Sequence, residues 1–322
     1  MKTQKTTASP TGLHQSRTAL AVILLAALLL PVPATQAATL YVSDSNAIGQ
    51  STIDRFDSTT GASLGTFVNT NSNISRGLAF DSAGNLYAAY IGTSTIEKFT
   101  STAGALSSSG SVFASGLSTP QGLAFDSAGN LYVANTGNNT IGKFTPGGVG
   151  SVFASGGLLS NPTDLAFDSA GNLFVSNHGD NRILQFTSGG VGSVFANGTV
   201  LGPEGLAVDS AGTLYEANAD ANLITTGSAG TSSVFASSGL SQPLDLAFDG
   251  AGNLYAANFG NSTIEKFTST AGVLSSTGSP LVSSGVIAPT FIAFGPASAP
   301  EPSSTLLLLG GLGAVLLRRR RK

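Results

Sequence analysis

The sequence has no cysteine. Disulfides are therefore excluded, and a folded chain of this length must be held by an apolar core and hydrogen-bonded ladders alone. It also has little charge, with 10% Asp, Glu, Lys and Arg against roughly 25% in ordinary globular domains. Ser, Thr and Asn supply the polar surface instead. Cations are scarcest in the middle: between Ala38 and Pro300 stand six (Arg55, Arg76, Lys98, Lys143, Arg182, Lys266) against sixteen carboxylates, a net of −10. The formal charge of the whole chain is only −3 because both ends are basic. An acidic, cation-poor middle argues against nucleic acid as a partner. Histidine is nearly absent, and beyond residue 37 only His178 remains. No stretch of the middle shows apolar residues at the 3.6-residue helical period over a useful length.

What the chain has in plenty is glycine, 41 of 322 residues, and a repeat. Gly122–Tyr132 reads Gly-Leu-Ala-Phe-Asp-Ser-Ala-Gly-Asn-Leu-Tyr, and it recurs with small changes. Its aspartate falls at Asp81, Asp126, Asp168, Asp209 and Asp249, with spacings of 45, 42, 41 and 40. Leu123, Ala124 and Phe125 alternate large and small, which is the period of a strand. Asp126–Asn130 is turn chemistry: the aspartate caps with its side chain, and Gly129 takes positive φ without steric cost. Leu131–Ala134, Ile141–Phe144 and Ser151–Ala154 read as three further strands. A loop with Pro120, Pro162, Pro203, Pro243 or Pro289 precedes each new repeat. Four short antiparallel strands per period make one propeller blade.

The second strand appears six times, at Leu40, Leu86, Leu131, Leu173, Leu214 and Leu254. The first copy has no preceding strand, and the last preceding strand, Phe291–Phe294, has no successor. The expected fold is therefore all-β: a six-bladed β-propeller of four-stranded antiparallel blades, closed by 291–294 completing the first blade. Such a ring leaves no long exposed edge.

The ends read differently. Residues 1–37 combine Lys2, Lys5 and Arg17 with an apolar run from Ala19 to Leu30 and a small-residue end at Ala37, the pattern of a signal peptide for signal peptidase. The apolar run is shorter than the ~20 residues of a spanning helix. At the other end, Pro300, Glu301 and Pro302 lead into an apolar segment, 304–317, and then Arg318–Lys322. Cations on the cytoplasmic side of a membrane-stalled segment obey the positive-inside rule. The expected organisation is a signal peptide over 1–37, a propeller over 38–297 and a sorting segment over 298–322.

Two resemblances follow from these residues. From about Leu40 to Phe294 the repeats resemble NHL repeats, most fully at Pro162–Phe186. Where that family usually closes the second strand with aspartate, this chain has Asn135, Asn177, Asn218 and Asn258, with Asp44 and Tyr90 in the other two blades. Asparagine makes the same backbone-directed hydrogen bonds without charge, so the position reads as structural. The tail resembles the PEP-CTERM sorting signal of Gram-negative bacteria. That resemblance implies recognition of Pro300–Pro302 by an exosortase, transient inner-membrane anchoring through 304–317, and delivery to the cell surface or extracellular matrix.

No catalytic residue, metal ligand or cofactor site is assigned from the sequence. His178 stands beside Gly179 and Asp180 in a polar loop, and a lone loop histidine is more often a surface residue. Asp164 and Asp245 begin innermost strands, and Glu204 and Glu216 lie in blade five; together they would make a carboxylate cluster if they met at the channel mouth. Gly147–Gly150 and Gly189–Gly192 join strands rather than opening helices, so they are not phosphate loops. Blade geometry puts the Asp-Ser-Ala-Gly turns at one end of the ring and the varied loops at the other. A ligand is expected on the loop face at Arg76, Tyr90, Gln121, His178, Glu204 and Phe259. The favoured function is a non-catalytic exported ring that binds an extracellular polysaccharide or envelope protein. The alternative is a propeller hydrolase or lyase of the lactonase or streptogramin-lyase kind, distinguished by a tight cluster of at least three carboxylates, or of His plus carboxylates, at one end of the channel.

The tail yields the first prediction. Mass spectrometry of surface-localised protein is expected to find 305–322 missing. Alanine at Pro300, Glu301 and Pro302 is expected to leave full-length protein in the inner membrane. An intact C-terminus on the outer surface of the unmodified strain would refute it.

Overall fold

The computed structural model describes residues 38–45, 51–70, 73–197, 201–228 and 230–296. The two terminal segments, including 304–317, lie outside the described residues. Across the described residues the protein is all-β, with six four-stranded antiparallel sheets arranged as a propeller. Blade two comprises Ser75–Phe80, Leu86–Tyr90, Thr95–Phe99 and Ser111–Ala114, counted outward from the axis. Blade three is Pro120–Phe125, Leu131–Asn135, Thr140–Phe144 and Gly150–Ser155. Blade four is Pro162–Phe167, Leu173–Asn177, Arg182–Phe186 and Gly192–Ala196. Blade five is Pro203–Val208, Leu214–Asn218, Leu223–Ser228 and Thr231–Ala236. Blade six is Pro243–Phe248, Leu254–Asn258, Thr263–Phe267 and Ser279–Val282.

Blade one is the composite one. Thr39–Ser45, Ser51–Asp57 and Ser63–Asn69 take their innermost strand from Pro289–Phe294, with Leu40 opposite Phe294 and Val42 opposite Ile292. The closure expected from the sequence is the one observed. Each innermost strand also touches the innermost strands of both neighbouring blades, so the contacts run round a closed ring.

The turn aspartates act as the sequence indicates. Asp126 Oδ1 accepts from the Ala128 and Asn130 N–H groups at 3.0 and 2.8 Å, and Oδ2 accepts from Asn130 Nδ2 at 2.8 Å. Gly129 sits at φ +79°, where any side chain would be strained. Asp81, Asp168 and Asp249 repeat the full arrangement.

Packing between blades is carried by aromatic triplets. A second-strand tyrosine meets the phenylalanine of its own outer strand and that of the next blade's innermost strand, edge to face. Tyr132 lies 5.0 Å from both Phe153 and Phe167, and Tyr87 lies 5.0 Å from both Phe113 and Phe125. Tyr41 and Tyr215 repeat the arrangement. Each such pair contributes about 0.5–1.5 kcal/mol beyond area burial. Phe125 and its equivalents are only partly covered, and the deepest core is formed by second- and third-strand residues such as Leu131, Ile141 and Leu173.

Because blade one needs 289–294, ending the chain at Ser284 is expected to remove cooperative unfolding of the whole ring, read by thermal denaturation. A truncated protein melting like the full chain would mean that the ring does not depend on this closure.

Candidate functional site

The loop end of the channel is built by a bulge that recurs in every innermost strand. In blade three Pro120 pairs with Asn135 and Leu123 with Val133, so Gln121 and Gly122 together oppose one residue. The same shift follows Ser75, Pro162, Pro203 and Pro243. A bulge twists the strand and re-aims a side chain. Here it concerns the positions held by Arg76, Gln121, Thr163, Glu204, Leu244 and Thr290.

These positions are tied across blades. Ser43 Oγ donates to the Arg76 carbonyl at 2.8 Å, Thr136 Oγ1 to the Pro162 carbonyl at 2.6 Å, Thr163 Oγ1 to the Pro203 carbonyl at 3.1 Å, and Ser176 Oγ to the Glu204 carbonyl. An innermost strand is also the edge of its sheet, so its axis-side N–H groups have no ladder partner. Two carboxylates take them. Asp164 Oδ2 of blade four accepts from Leu206 N–H of blade five at 2.8 Å, and Asp245 Oδ2 of blade six accepts from Ile292 N–H of blade one at 2.8 Å. Gly122 leaves room for Asp164: a Cβ there would lie 2.3 Å from Asp164 Oδ1.

Burial dominates the electrostatics of this pair. Asp164 is pushed up to about 7, first by desolvation and further by the charge of Glu204. Asp245 is raised well above the carboxylate range by desolvation, then by Asp164 and Glu204. Glu204 also faces two basic groups. Its Oε1 lies 3.1 Å from His178 Nδ1, an ion pair when the imidazole is protonated, and this carboxylate raises the affinity of His178 for its proton. Burial lowers the Arg76 guanidinium from its ordinary range, with Glu204 opposing that shift. Arg76 Nε is buried without a hydrogen-bond partner.

Of the six expected ligand contacts, the structure brings Arg76, His178 and Glu204 into one electrostatic group. Gln121 lies on the neighbouring innermost strand, its carbonyl against Gly77. Phe259 is 39% exposed on the loop of blade six. Tyr90 is 1% exposed and belongs to the core around Leu78, Leu86 and Phe99. It cannot present a surface to a ligand, because its position is the buried end of the second strand. Glu216 also leaves the expected cluster. It is fully buried inside blade five, where Oε2 accepts from Thr225 Oγ1 at 2.8 Å.

That buried strand end has a backbone task. Asn177 Oδ1 accepts from Ser160 N–H at 2.8 Å and its Nδ2 donates to the Leu158 carbonyl at 2.9 Å. Asn218 and Asn258 hold Leu201 and Ser241 in the same way. Asp44 accepts from both Ile287 and Ala288 N–H, at 2.8 and 2.7 Å, and so clamps the loop that leads into the closing strand. Sequence reasoning missed a second repeated feature, at the turn end. Lys98, Lys143 and Lys266 each stand 11 residues after a tyrosine and lie over its ring. The recurring spacing was the available signal.

Comparisons with known proteins agree with this architecture. The NHL repeat family matches residues 117–144, and the PEP-CTERM protein-sorting motif matches residues 298–322. The chain thus carries an NHL repeat and an export-sorting motif. No curated protein matches it. Among solved structures it is similar to a nidogen/laminin complex, at 18% identity over 81% of this chain and 99% of that one, with a TM-score of 0.66. It is similar to a catalytically inactive virginiamycin B lyase from Staphylococcus aureus with quinupristin, at 17% identity over 81% and 94%, TM-score 0.58. It is also similar to a gluconolactonase from Xanthomonas campestris, at 18% identity over 67% and 76%, TM-score 0.54. At such identities the likeness concerns the fold alone.

The raised carboxyl groups set the sign of the pH dependence. Between about pH 4, where an unfolded aspartate ionises, and about pH 7, the folded ring keeps protons that the unfolded chain gives up. Stability is full below that window and falls as pH rises through it. Melting is therefore expected at higher temperature at pH 5 than at pH 8, with Asp164 contributing on the order of 2–4 kcal/mol. Asp164→Asn is expected to reduce the difference, the part that remains belonging to Asp245. A ring that is more stable at pH 8 would contradict this assignment.

Proposed function

We propose that this ring, bearing an NHL repeat and a PEP-CTERM sorting motif, is an exported non-catalytic binding or scaffold protein. It acts at the cell surface or in the exopolysaccharide matrix of a Gram-negative bacterium. In this reading residues 1–37 are removed by signal peptidase. The segment 304–317 holds the chain briefly in the inner membrane, and an exosortase processes it at Pro300–Pro302. The ring over 38–297 is the mature product.

One observation carries the non-catalytic reading: the two deepest carboxylates at the loop-end mouth are already engaged. Asp164 and Asp245 each take a backbone N–H from a neighbouring blade, and desolvation favours their neutral forms. They serve as staples between blades. Arg76, Gln121, Glu204 and His178 remain for a partner, with Phe259 at the rim. Unlike side chains on a rigid frame suit an extended polar ligand such as an extracellular polysaccharide.

A second reading, a hydrolase or lyase, is favoured by the His178–Glu204 contact of 3.1 Å. A histidine oriented by a carboxylate is the usual pairing for general acid–base work. Asp164, with a value of about 7, would be a second proton-transfer group nearby. The solved neighbours include a lyase and a lactonase.

The two readings separate on a glycan array and a turnover assay with the same proteins. Under the binding reading, alanine at both Arg76 and Glu204 is expected to weaken binding at least tenfold with little change in melting temperature. His178→Ala is then expected to have only a modest effect. Retained binding in the double variant would reject the mouth as the site. Turnover of a lactone or cyclic depsipeptide that disappears in His178→Ala would replace the first reading with the second.

A further inference from the structure

At the turn end three blades hold a lysine ammonium over a tyrosine, and blade five has the tyrosine without the lysine. In blades two, three and six a second-strand tyrosine pairs in register with a third-strand lysine: Tyr87 with Lys98, Tyr132 with Lys143, Tyr255 with Lys266. Each Nζ lies over the tyrosine ring, 5.0–5.1 Å from its centroid. In blades two and three it also lies 3.8 Å from Oδ2 of the turn aspartate, Asp81 or Asp126. The protein thus uses an aromatic face and a carboxylate to hold a primary ammonium.

Blade five keeps the face and the carboxylate. Tyr215 is flanked by Phe235 and Phe248 at 5.1 and 5.4 Å, as Tyr132 is by Phe153 and Phe167. Asp209 Oδ1 caps its turn through the Ala211 and Thr213 N–H groups. Tyr215, however, pairs with Thr226. The asparagine that serves Oδ2 in the other turns is Thr213 here, and among the described residues nothing donates to Asp209 Oδ2. Blade four also lacks the lysine, but there the pair is Phe174 with Gln185, and Asn172 occupies Asp168 Oδ2. Among the described residues, only blade five therefore combines a tyrosine, a turn carboxylate with an unserved oxygen, and no cation of its own.

A cavity of about 350 Å³ opens at that place, between the turns of blades five and six. Its lining includes Asp209, Ser210, Tyr215, Phe248, Asp249 and Ser269. The volume falls within the range of small-molecule sites, about 300–1,000 Å³. Asp249 adds a second carboxylate. Burial alone would raise it, but hydrogen bonds from Asn253, Tyr255 and Ala251 outweigh that and hold it below the usual range, hence ionised.

We propose that this cavity binds an unacetylated amino sugar, whose ammonium takes the place of the missing lysine between the Tyr215 ring and Asp209 Oδ2. Half-buried Phe248 in the cavity wall suits the C–H face of a pyranose. Ser210 and Ser269 offer hydroxyls to its hydroxyls, and the Asp249 charge adds to the attraction for the ammonium. The acidic ring favours a cationic ligand over a neutral one. This site lies at the opposite end from the Arg76–Glu204 mouth, so the two assignments stand or fall separately.

The test uses full-length protein in mild detergent, with glucosamine and a chitosan tetramer as probes and N-acetylglucosamine as the same frame without the charge. Glucosamine and the tetramer are expected to bind and to weaken with rising ionic strength, and N-acetylglucosamine is expected not to bind. Thr226→Lys gives blade five the ammonium that blade three already has. It should abolish amine binding while leaving the melting temperature unchanged or higher. Asp209→Asn keeps the Oδ1 cap and should weaken binding about tenfold, whereas alanine at Arg76 and Glu204 should leave it unchanged. The proposal is overturned by equal binding of the acetylated and free sugars, by undiminished binding in folded Thr226→Lys, or by no amine binding at about 10 mM.

Discussion

The ring depends on a sheet that cannot hide either of its faces alone. Each blade is four short strands with large residues on both sides, so every blade must be covered by two others, and the cover has to come full circle. Aromatic contact between a tyrosine and the next blade's innermost phenylalanine is the repeated unit of that cover. It passes from Tyr41 to Phe80, Tyr87 to Phe125, Tyr132 to Phe167, Tyr215 to Phe248 and Tyr255 to Phe294. With so few charges and no disulfides, these contacts and the strand ladders hold the ring together. The one break in the series, where Phe174 meets the aliphatic Val208, stays within the same apolar cluster.

Around this frame polar groups divide by end. At the turn end, aspartate, asparagine and glycine do one folding task in nearly identical form. At the loop end, asparagines hold the entering loops, and Asp164 and Asp245 take edge N–H groups of the next blade's innermost strand. An acidic group stationed on a backbone donor in a desolvated place gains a hydrogen bond and loses much of its tendency to ionise. Positions that look like a carboxylate cluster in the sequence are thereby turned into struts, and Glu204, His178 and Arg76 are the side chains left to differ from blade to blade.

The architecture was legible because it is periodic. Blade number, strand order, turn chemistry and closure by 291–294 all follow from residues recurring at intervals of 40 to 45. Tyr90 was misplaced because it sits at the strand end where four other blades carry asparagine. Blade geometry put it at the loop end, but that strand end is buried in the blades alike, at Tyr90, Asn177, Asn218 and Asn258. The departure of Glu216 from the mouth has a similar origin: strand alternation tells which side of the sheet a residue occupies, not how far it stands from the axis. The lysine–tyrosine pairing was written in an 11-residue spacing, but its meaning needed the register of the second and third strands.

Composite blade one also fixes an order of events. Blades two to six are each made from consecutive chain, so their ladders form as soon as a contiguous stretch of some forty residues is free. Thr39–Ser45 instead waits for a partner about 250 positions later, the kind of distant pairing that slows folding through loop-closure entropy. In a chain made from its N-terminus, the first strand produced is the last to find its partner. The pairing of Leu40 with Phe294 and of Val42 with Ile292 thus ties the first strand of the ring to the residues just before the sorting motif.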